Sequence, residues 1–472
     1  MHKQPITIIG AGLVGTLLAT LLAQRGMAVE LFEKRPDPRR QGFIGGRSIN
    51  LALSERGLAG LRMAGLDQAV LAQAVMMRGR MIHARDCTTN LQRYGINDGE
   101  SNQSVSRGDL NLLLLDAAEK AGVALHFGQT LLDADFARHR LTFADHDGTR
   151  HDHAFARVIG ADGAGSALRA AMNRHAALGE RIEPLGHGYK ELEIPSLAEL
   201  PDTALTAQQR QRRDAGDKFA IEPNALHIWP RGNCMCIALP NASGSFTVTL
   251  FLPHRDAEPS FASLPDAARA RHCFETDYAD ILPLMPRFDR DYDDHPVGTL
   301  ATLYLDRWHL DDDALLIGDA AHAIVPFHGQ GMNAGFEDAA ILAPLLAGND
   351  TAGVFARFTQ QRKPDADAIA AMALENYVEM RDSVVEDDYL RKRILGNRLA
   401  DLAPTHFMPR YRMVTFTSLP YAYCVQRGLA QDTLLGQLLQ GHAEVDDVDL
   451  DAAAATLRAT LPPLPPLTLP GA

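Results

Sequence analysis

Cysteine is scarce in this chain, and positive charge is outweighed by negative charge. The 472 residues include five cysteines: Cys87, Cys234, Cys236, Cys273 and Cys424. Thiols this few and this scattered exclude a disulfide framework and favour a reducing, cytoplasmic setting. The formal net charge of −13 argues against a nucleic-acid binder and against attachment to anionic lipid through basic patches.

Long uncharged runs are also rare. The one candidate is ITIIGAGLVGTLLATLLA, at residues 6–23. Its glycines divide it into a strand, a turn and a helix, which explains it better than a signal peptide or a membrane anchor. The closing LPPLPPLTLPGA has too many prolines for a spanning helix. We therefore expect no membrane span.

Familiar catalytic motifs are missing as well. The chain has no HExxH, no GxSxG and no P-loop. Cys234 and Cys236 would share one face of a strand, and buried thiols are favoured over a redox or metal pair. His146 and the histidines of HDHAF could ligate a metal, but the turn residues of DHDGTRHDH favour a polar hairpin tip. No metal site is predicted.

The order of the predicted elements indicates an α/β fold. Residues 5–33 read as strand, helix and strand, which is a βαβ start. Four strand-like segments between about 183 and 300, YKELEIP, ALHIWP, CMCIALP and FTVTLFLP, suggest an antiparallel sheet. The chain is mostly helical after residue 338.

We therefore predict a Rossmann-like cofactor-binding domain that is interrupted by an antiparallel β-sheet substrate domain and followed by a helical C-terminal region. The cofactor domain is discontinuous, and its predicted ranges are 1–75, 100–182 and 300–345. The predicted substrate domain is 76–99 and 183–299, and the helical region is 346–472.

The first glycine-rich junction is GAGLVG, at residues 10–15. Gly10 permits a tight turn, Gly12 lets a pyrophosphate approach the backbone, and Gly15 allows the helix to pack closely on the strand. The helix N-terminus offers N–H groups to the phosphates. Glu33, about twenty residues later, can accept hydrogen bonds from ribose hydroxyls. This combination predicts a dinucleotide site, and the alternative is a mere tight βα turn.

A second junction, GDAAHAIVPFHGQGMNAGFED at residues 318–338, distinguishes FAD from NAD. An NAD dehydrogenase would usually complete its cofactor site in the amino-terminal half. Asp319 can bind a ribityl hydroxyl, and GQGMN begins a helix whose N–H groups can hold the flavin edge that becomes negative on reduction. One extended FAD would meet both junctions, with its pyrophosphate at the first and its flavin at the second.

These motifs carry a family resemblance. GAGLVG with Glu33, GADG at 160–163, and GDAAH with GQGMN resemble the flavoprotein aromatic hydroxylases, which share the p-hydroxybenzoate hydroxylase-like fold. GRSINLALSERG, MMRGRMIH, ALENYVEM and PRYRMVTF resemble the branch of that family that hydroxylates L-kynurenine. The resemblance extends from the start of the chain to about residue 420.

The resemblance implies a reaction and its cofactors. FAD would be the bound cofactor, with NADPH and O2 as co-substrates, and L-kynurenine would become 3-hydroxykynurenine through a flavin C4a-hydroperoxide. No side chain is then catalytic, because the flavin carries the chemistry. The alternatives are a related flavin monooxygenase acting on another aromatic substrate, or a non-catalytic FAD-binding redox protein. The NADPH site and the oligomeric state, a homodimer included, stay open.

The resemblance also assigns residues. Arg80 and Tyr411 match the pair that binds the substrate carboxylate, for which a guanidinium fork is well suited. The other substrate-binding positions are Tyr94, Asn376, Phe246, Phe327, His328 and Gln330. The cofactor-binding positions are Gly10, Gly12, Val14, Gly15, Glu33, Lys34, Arg35, Ala52, Arg107, Leu131, Asp162, Asp319, Gly331, Met332 and Asn333.

Several of these residues have plainer interpretations. Without the resemblance, Arg80 would belong to a solvated basic strand, and Phe246, which alternates with Val248 and Leu250, would be sheet core. Asn376 would face solvent on a helix.

Four further residues near the two junctions keep open roles. His322 in GDAAH would be a hydrogen-bonded buried histidine. Arg47 could reach the pyrophosphate or NADPH, and Ser48 and Asn50 could line the flavin. The sequence does not decide among these roles.

Overall fold

The computed structural model describes residues 5–41, 50–381 and 387–466. In these ranges the strands are β1 (Ile6–Ile9), β2 (Val29–Glu33), β3 (Asn50–Leu53), β4 (Val75–Met77), β5 (Gly79–His83), β6 (Thr89–Arg93), β7 (Asn102–Ser106), β8 (Ala124–Phe127), β9 (Thr130–Asp135), β10 (Arg140–Ala144), β11 (Arg150–Ala154), β12 (Arg157–Gly160), β13 (Arg181–Ile194), β14 (Leu226–Pro230), β15 (Met235–Pro240), β16 (Phe246–Pro253), β17 (Gly298–Tyr304), β18 (His309–Leu310) and β19 (Ala314–Leu316).

The helices in the same ranges are α1 (Leu13–Gln24), α2 (Pro38–Gln41), α3 (Glu55–Met63), α4 (Asp67–Leu71), α5 (Arg107–Lys120), α6 (Ala167–His175), α7 (Ala207–Asp214), α8 (Ala267–Asp277), α9 (Phe288–Asp294), α10 (Asp319–His322), α11 (Gly331–Ala347), α12 (Val354–Arg381), α13 (Asp387–Leu402), α14 (Arg410–Phe416), α15 (Tyr421–Leu439) and α16 (Leu450–Thr460). Short 3₁₀ helices lie at Leu197–Glu199, Asp202–Ala204, Leu282–Leu284, Pro326–His328 and Val445–Asp447.

A six-stranded sheet positions both glycine-rich junctions. Its order is β18-β19-β12-β1-β2-β8, and every neighbouring pair is parallel except β18 with β19. The central strand β1 is wholly apolar apart from Thr7 and is buried along its length, as expected for a parallel sheet covered on both faces. Strands β1 and β19 lead into the two junctions, and only β12 separates them. The junctions therefore start about 10 Å apart at one edge of the sheet.

A seven-stranded sheet, ordered β17-β13-β16-β15-β14-β5-β6, forms the second layer. Its neighbours are antiparallel except β5 and β14, which are parallel. The sheet has one core on each face because side chains alternate along each strand. In β16, Phe246 packs into the core shared with α8 and α9, whereas Phe251 packs into the core shared with α12.

The helices after the second junction pack on both layers. Helix α12 contacts the 3₁₀ helix Pro326–His328, α11 and α15, and α15 in turn contacts α13 and α14. The predicted fold class is thereby confirmed: an α/β cofactor-binding part, an antiparallel sheet and a helical C-terminal region. Within 5–41, 50–381 and 387–466, none of the helices is both long enough and apolar enough to cross a membrane.

The limits of the observed sheets differ in detail from the domain limits predicted from the sequence. The expected limits at residues 76 and 300 each fall inside a strand, β4 and β17. Strand β4 pairs with β7 in a separate three-stranded sheet, β3-β7-β4, and β17 pairs with β13 in the seven-stranded sheet. Helices α7, α8 and α9 also lie within the segment expected to be β-rich. Side-chain N-caps begin two of them, the Thr206–Gln209 capping box at α7 and Asp266 at α8.

The polar segment DHDGTRHDH includes a hairpin tip, as predicted, but the tip is limited to residues 145–149. Strands β10 and β11 pair antiparallel on either side of it, so RHDH belongs to β11. At the tip, the ligand atoms of Asp145, His146 and Asp147 lie within 4.8 Å of one another on the exposed surface. His153, which lies in β11, contacts Glu30 at 3.0 Å.

The cysteines behave as isolated thiols. All five are free, and Cys234, Cys236 and Cys424 are buried. Burial raises the pKa of the Cys234 and Cys236 thiols, so both stay protonated and unreactive at neutral pH. The prediction of buried thiols at these two positions is confirmed.

Candidate active site

The first junction leaves open space over the backbone where a pyrophosphate would lie. Gly10 has φ +104°, and a Cβ added there would lie 2.5 Å from the Ala161 carbonyl oxygen. A Cβ on Gly15 would lie 2.1 Å from the Gly10 carbonyl oxygen. By contrast, nothing lies within 4 Å of a Cβ on Gly12, which is the N-cap of α1. Two glycines thus fix the turn, and the third leaves the helix N-terminus accessible.

Glu33 closes this junction from the side. Its carboxylate accepts hydrogen bonds from the backbone N–H groups of Ala11 at 2.9 Å and Arg35 at 3.0 Å. A cleft that opens to solvent lies beside it. Its lining comprises Ala11, Gly12, Leu13, Glu33, Arg35, Pro36, Pro38, Arg107, Asn111, Leu115 and Phe127. Exposed Arg35 and Arg107, with the neighbouring Lys34, give it cationic side chains suited to phosphate.

The second junction touches the first. Gly318 has φ +55°, and a Cβ added there would lie 3.2 Å from the Val14 side chain. A Cβ on Gly335 in α11 would lie 2.5 Å from the same side chain. Asp319 follows Gly318 and is open to solvent, yet surrounding protein atoms desolvate its carboxyl and raise its pKa. Val14 belongs to the first junction and packs against the second, so the two junctions are adjacent. One extended molecule can therefore reach both.

Buried charges hold the second junction in place. Asp338 accepts hydrogen bonds from the Gly318 N–H at 2.9 Å, His322 Nε2 at 2.6 Å and Arg362 Nε at 2.9 Å. Burial opposes the charge of Asp338, but His322 and Arg362 lower its pKa to about 2. His322 is therefore the hydrogen-bonded buried histidine that the sequence suggested.

The side chains of Asn333 and Gln330 face inward rather than toward a ligand. Asn333 donates to the carbonyl oxygens of Ala52 at 2.9 Å and Gly329 at 2.8 Å, and it accepts from the Ser54 N–H at 3.0 Å. Gln330 Oε1 accepts from the Tyr421 hydroxyl at 3.0 Å. These bonds tie β3, which carries Ala52, to the start of α11. The groups left for a cofactor are backbone N–H groups at Gly331, Met332 and Asn333.

Two predicted cofactor residues use their side chains elsewhere. The Asp162 carboxylate accepts from the N–H groups of Ala167 at 2.7 Å and Leu168 at 3.2 Å, and so caps α6. The Leu131 side chain is 6% exposed and belongs to the core of the six-stranded sheet. At these two positions the side chains already serve the fold.

Arg80, Tyr94, Asn376 and Tyr411, here called the Arg80 cluster, come together although they lie on β5, a loop, α12 and α14. Arg80 is 7% exposed and donates to Asn376 Oδ1 at 3.3 Å and to Glu379 Oε1 at 3.1 Å. Its guanidinium carbon lies 5.0 Å from the Tyr411 ring centroid and 6.0 Å from that of Tyr94. The solvated interpretations of Arg80 and Asn376 are therefore wrong.

The electrostatics of the Arg80 cluster place a buried cation opposite a carboxylate. Burial disfavours the Arg80 charge, but the facing Glu379 carboxylate raises its pKa above the ordinary value. Burial also raises the pKa of Tyr94 and Tyr411, so both hydroxyls keep their protons. The Tyr94 hydroxyl is hydrogen-bonded to Tyr411, so the site presents a fixed cation and the Tyr411 hydroxyl as a donor.

The 3₁₀ helix Pro326–His328 joins the Arg80 cluster to the second junction. Asn376 Nδ2 donates to the Phe327 carbonyl oxygen, and the His328 ring stacks on Tyr411 at 5.5 Å. The Phe327 ring lies 4.3 Å from the Tyr377 ring and 5.0 Å from the Phe251 ring. These three rings form an apolar aromatic wall beside Arg80. The wall includes Phe327, which lies just before the N-terminus of α11.

Phe246 does not join this group. It is 0% exposed and packs against the rings of Phe219 at 5.9 Å and His227 at 5.7 Å, on the other face of the seven-stranded sheet. Phe246, Val248 and Leu250 lie on the same face of β16 and belong to the same core, as their alternation in the sequence suggested.

Sequence reasoning missed Glu379 and Asn102. Glu379 lies three residues after Asn376 on α12, so helical spacing could have placed it on the same face. Asn102 donates to the Tyr411 hydroxyl at 2.9 Å across 309 positions of sequence, and no local pattern indicates that contact.

Of the three other residues with open roles, besides His322, Arg47 and Ser48 lie outside the described residues. Asn50 is 7% exposed and donates to the Pro240 carbonyl oxygen at 2.8 Å. Its side chain therefore bridges β3 and β15.

His328 gives the site a predicted pH dependence of stability. Burial lowers its pKa to about 4, from 6.5 for an exposed histidine. Between these values the unfolded chain binds a proton that the folded chain does not, so stability falls as the pH drops. The expected loss from about pH 7 to about pH 5 is up to ~2 kcal/mol. Urea unfolding should show a smaller loss for His328→Gln, and equal losses would contradict the assignment.

Comparison with known proteins places the chain in a class. A family profile described as "FAD binding domain" matches residues 3–194 and 268–373. These ranges include both junctions and the start of α12. The chain belongs to this family of FAD-binding flavoproteins.

Curated relatives define the branch. The chain is 51% identical over 464 residues to kynurenine 3-monooxygenase of Stenotrophomonas maltophilia, covering 98% of each chain. It is 50% identical over 466 residues to kynurenine 3-monooxygenase of Xanthomonas axonopodis pv. citri, again covering 98% of each. Within the flavoprotein family, the chain groups with these kynurenine 3-monooxygenases.

Solved structures share the fold. 2-Methyl-3-hydroxypyridine-5-carboxylic acid oxygenase superimposes with a TM-score of 0.64 at 20% identity, over 83% of this chain and 96% of that one. HpxO of Klebsiella pneumoniae, complexed with FAD, gives a TM-score of 0.62 at 17% identity over 81% and 92%.

Proposed function

We propose that the protein is an FAD-dependent monooxygenase that uses NADPH and O2 to convert L-kynurenine to 3-hydroxykynurenine. The observation that carries this proposal is the joining of the Arg80 cluster to the second glycine-rich junction through Phe327 and His328. The curated relatives, which match over 98% of the chain, support the same reaction.

The described residues fit FAD. The open backbone at Gly12 and the N-terminus of α1 would hold the pyrophosphate, and Glu33 would hold the adenosine ribose. Asp319 would bind the ribityl chain, and the α11 N–H groups would hold the flavin edge. Bound there, FAD would accept a hydride from NADPH and activate O2.

The Arg80 cluster would recognise the amino-acid end of the substrate. The guanidinium fork of Arg80 would bind the carboxylate, with the Tyr411 hydroxyl as a further donor and the Tyr94 ring lining the site. Glu379, which pairs with Arg80 at 3.1 Å, would then be free to face the ammonium group. A zwitterion would therefore pair with both the buried Arg80 and the half-buried Glu379, whereas a substrate without a carboxylate would leave Glu379 as the one charged partner of Arg80.

The aromatic wall would orient the substrate ring and exclude water. Phe327, Phe251 and Tyr377 pack against Ile228 and Met235 in one apolar cluster. His328 adds no charge there at neutral pH, because burial lowers its pKa to about 4. An apolar, neutral wall holds the ring without binding water in its place.

We also propose a cytoplasmic location, which rests on the five unpaired cysteines.

The test is anaerobic flavin reduction. The FAD-loaded protein should be reduced by NADPH at least about 10-fold faster with L-kynurenine present, since the filled site fixes the second junction. Benzoate, an aromatic carboxylate without the amino-acid group, serves as the control ligand. Equal reduction rates with and without L-kynurenine, together with the absence of hydroxylated product, would refute the proposed function.

A further inference from the structure

Two adjacent residues of α14 are held by the segment that enters β7. Arg412 donates to Glu100 through Nε at 2.7 Å and through a terminal nitrogen at 2.7 Å, one bond to each carboxylate oxygen. Asn102, two residues after Glu100, donates through Nδ2 to the Tyr411 hydroxyl at 2.9 Å. We call Glu100, Asn102 and Arg412 the α14 clamp.

The α14 clamp is largely removed from solvent. Asn102 is 4% exposed and Arg412 is 9% exposed. The Glu100 side chain is 20% exposed. A two-bond guanidinium–carboxylate pair at this depth fixes direction as well as distance, unlike a solvated surface pair. The clamp therefore sets the position of the first turn of α14.

The Tyr411 ring has little freedom within this arrangement. The Tyr94 ring stacks on it at 5.0 Å and 18°, and the His328 ring stacks on it at 5.5 Å and 14°. The hydroxyl torsion is the main freedom that remains. The hydroxyl oxygen accepts from Asn102 at 2.9 Å. It is also hydrogen-bonded to the Tyr94 and Thr415 side chains, which, like Asn102, oppose the rise that burial causes in the pKa of Tyr411, as donors do. Its own proton is therefore left for a different acceptor.

We propose that Glu100 and Asn102 are positioning residues that make Tyr411 a dedicated hydrogen-bond donor to the substrate carboxylate beside Arg80, and so set the preference for an amino-acid substrate. The inference deepens the proposed function and rests on it. Glu100 holds Arg412 and thereby the helix, and Asn102 holds the hydroxyl oxygen. Neither residue touches the substrate.

The experiment compares two ligands on the FAD-loaded protein: L-kynurenine and its decarboxylated counterpart, which has the same ring and amines but no carboxylate. Dissociation constants come from anaerobic titration of the flavin absorbance. Asn102→Leu should weaken L-kynurenine binding about 10-fold, the cost of one hydrogen bond to a charged group. The decarboxylated ligand should change less than about 2-fold.

Asn102→Asp gives a second and stronger test of the same contact. Its carboxylate would accept the hydrogen bond of the Tyr411 hydroxyl, which would then be lost to the substrate, and it would repel the substrate carboxylate. L-kynurenine binding should therefore weaken more than in Asn102→Leu. Glu100→Gln should also weaken L-kynurenine binding more than binding of the decarboxylated ligand, but by less than Asn102→Leu does. FAD content and Tm report folding for each variant. Asp446→Asn, which breaks an exposed ion pair with Arg398, is the control and should change neither constant.

A double-mutant cycle with Tyr411→Phe isolates the proposed contact. If Asn102 acts through Tyr411, adding Asn102→Leu to Tyr411→Phe should cost little further affinity for L-kynurenine. Additive losses, or equal weakening of both ligands, would overturn the inference and leave the proposed function intact. Failure of the unaltered protein to bind L-kynurenine would instead refute the proposed function, and this inference with it.

Discussion

Replacement of Arg80 by alanine should raise both the Kd and the KM for L-kynurenine by about 100-fold or more, while FAD stays bound. The substitution removes the only cation that faces Tyr94 and Tyr411 among the described ring contacts. It also leaves the Glu379 carboxylate, now unpaired with Arg80, where it would repel the substrate carboxylate. Anaerobic titration and steady-state NADPH oxidation measure the two constants.

Two further variants sharpen the Arg80 test. Arg80→Lys keeps the charge but loses the fork, so an intermediate loss of about 10-fold is expected. Arg85→Ala is the matched control, because this nearby arginine has a side chain that is 63% exposed and pairs with Asp277. Unchanged kinetics in Arg80→Ala would remove Arg80 from the substrate site.

Replacement of Gly12 by valine should give a folded, colourless protein. Nothing lies within 4 Å of a Cβ at this position, and its φ of −73° suits any residue, so the fold should be unaffected. The valine side chain would instead occupy the space over the N-terminus of α1. Loss of two or more charge-assisted hydrogen bonds to the pyrophosphate should weaken FAD binding by about 1000-fold.

Gly15→Ala provides the contrast. Its Cβ would lie 2.1 Å from the Gly10 carbonyl oxygen, so this change should lower the Tm of the FAD-free protein, whereas Gly12→Val should not. FAD fluorescence titration and thermal unfolding separate the two effects. A yellow Gly12→Val protein with normal FAD affinity would show that the pyrophosphate does not lie over this turn.

The first junction could be predicted because its determinants are local. Glycine spacing, a preceding apolar strand and a carboxylate at the end of the next strand all lie within Ile6–Glu33. The contact through Val14 that joins the two junctions is different, since it depends on the sheet order β19-β12-β1. The sequence motifs required a shared ligand, but only the sheet order explains why both can reach it.

The Arg80 cluster could not have been assembled from spacing. Its members lie on four elements between residues 80 and 411, and their separation exceeds the reach of any periodic pattern. Family resemblance supplied the four residues, and the structure added Glu379 and Asn102.

Two other assignments show where residue type misleads. An aspartate between a strand and a helix suits a cofactor contact and a helix cap equally, and the Asp162 carboxylate forms the cap. An aromatic residue on a strand suits a pocket wall and a core equally. Side chains alternate between the two faces of β16, so Phe246 and Phe251 lie on opposite faces. Phe251 lies on the face of the aromatic wall, and Phe246 is therefore in the core on the other face.

The most direct test of the central claim follows the oxygen atom. The FAD-loaded protein, NADPH and isotopically labelled O2 are incubated with L-kynurenine, and the product is analysed by mass spectrometry. We expect one labelled oxygen in 3-hydroxykynurenine and close to one NADPH consumed for each product molecule. Consumption of NADPH that yields peroxide, with L-kynurenine recovered unchanged, would contradict the account.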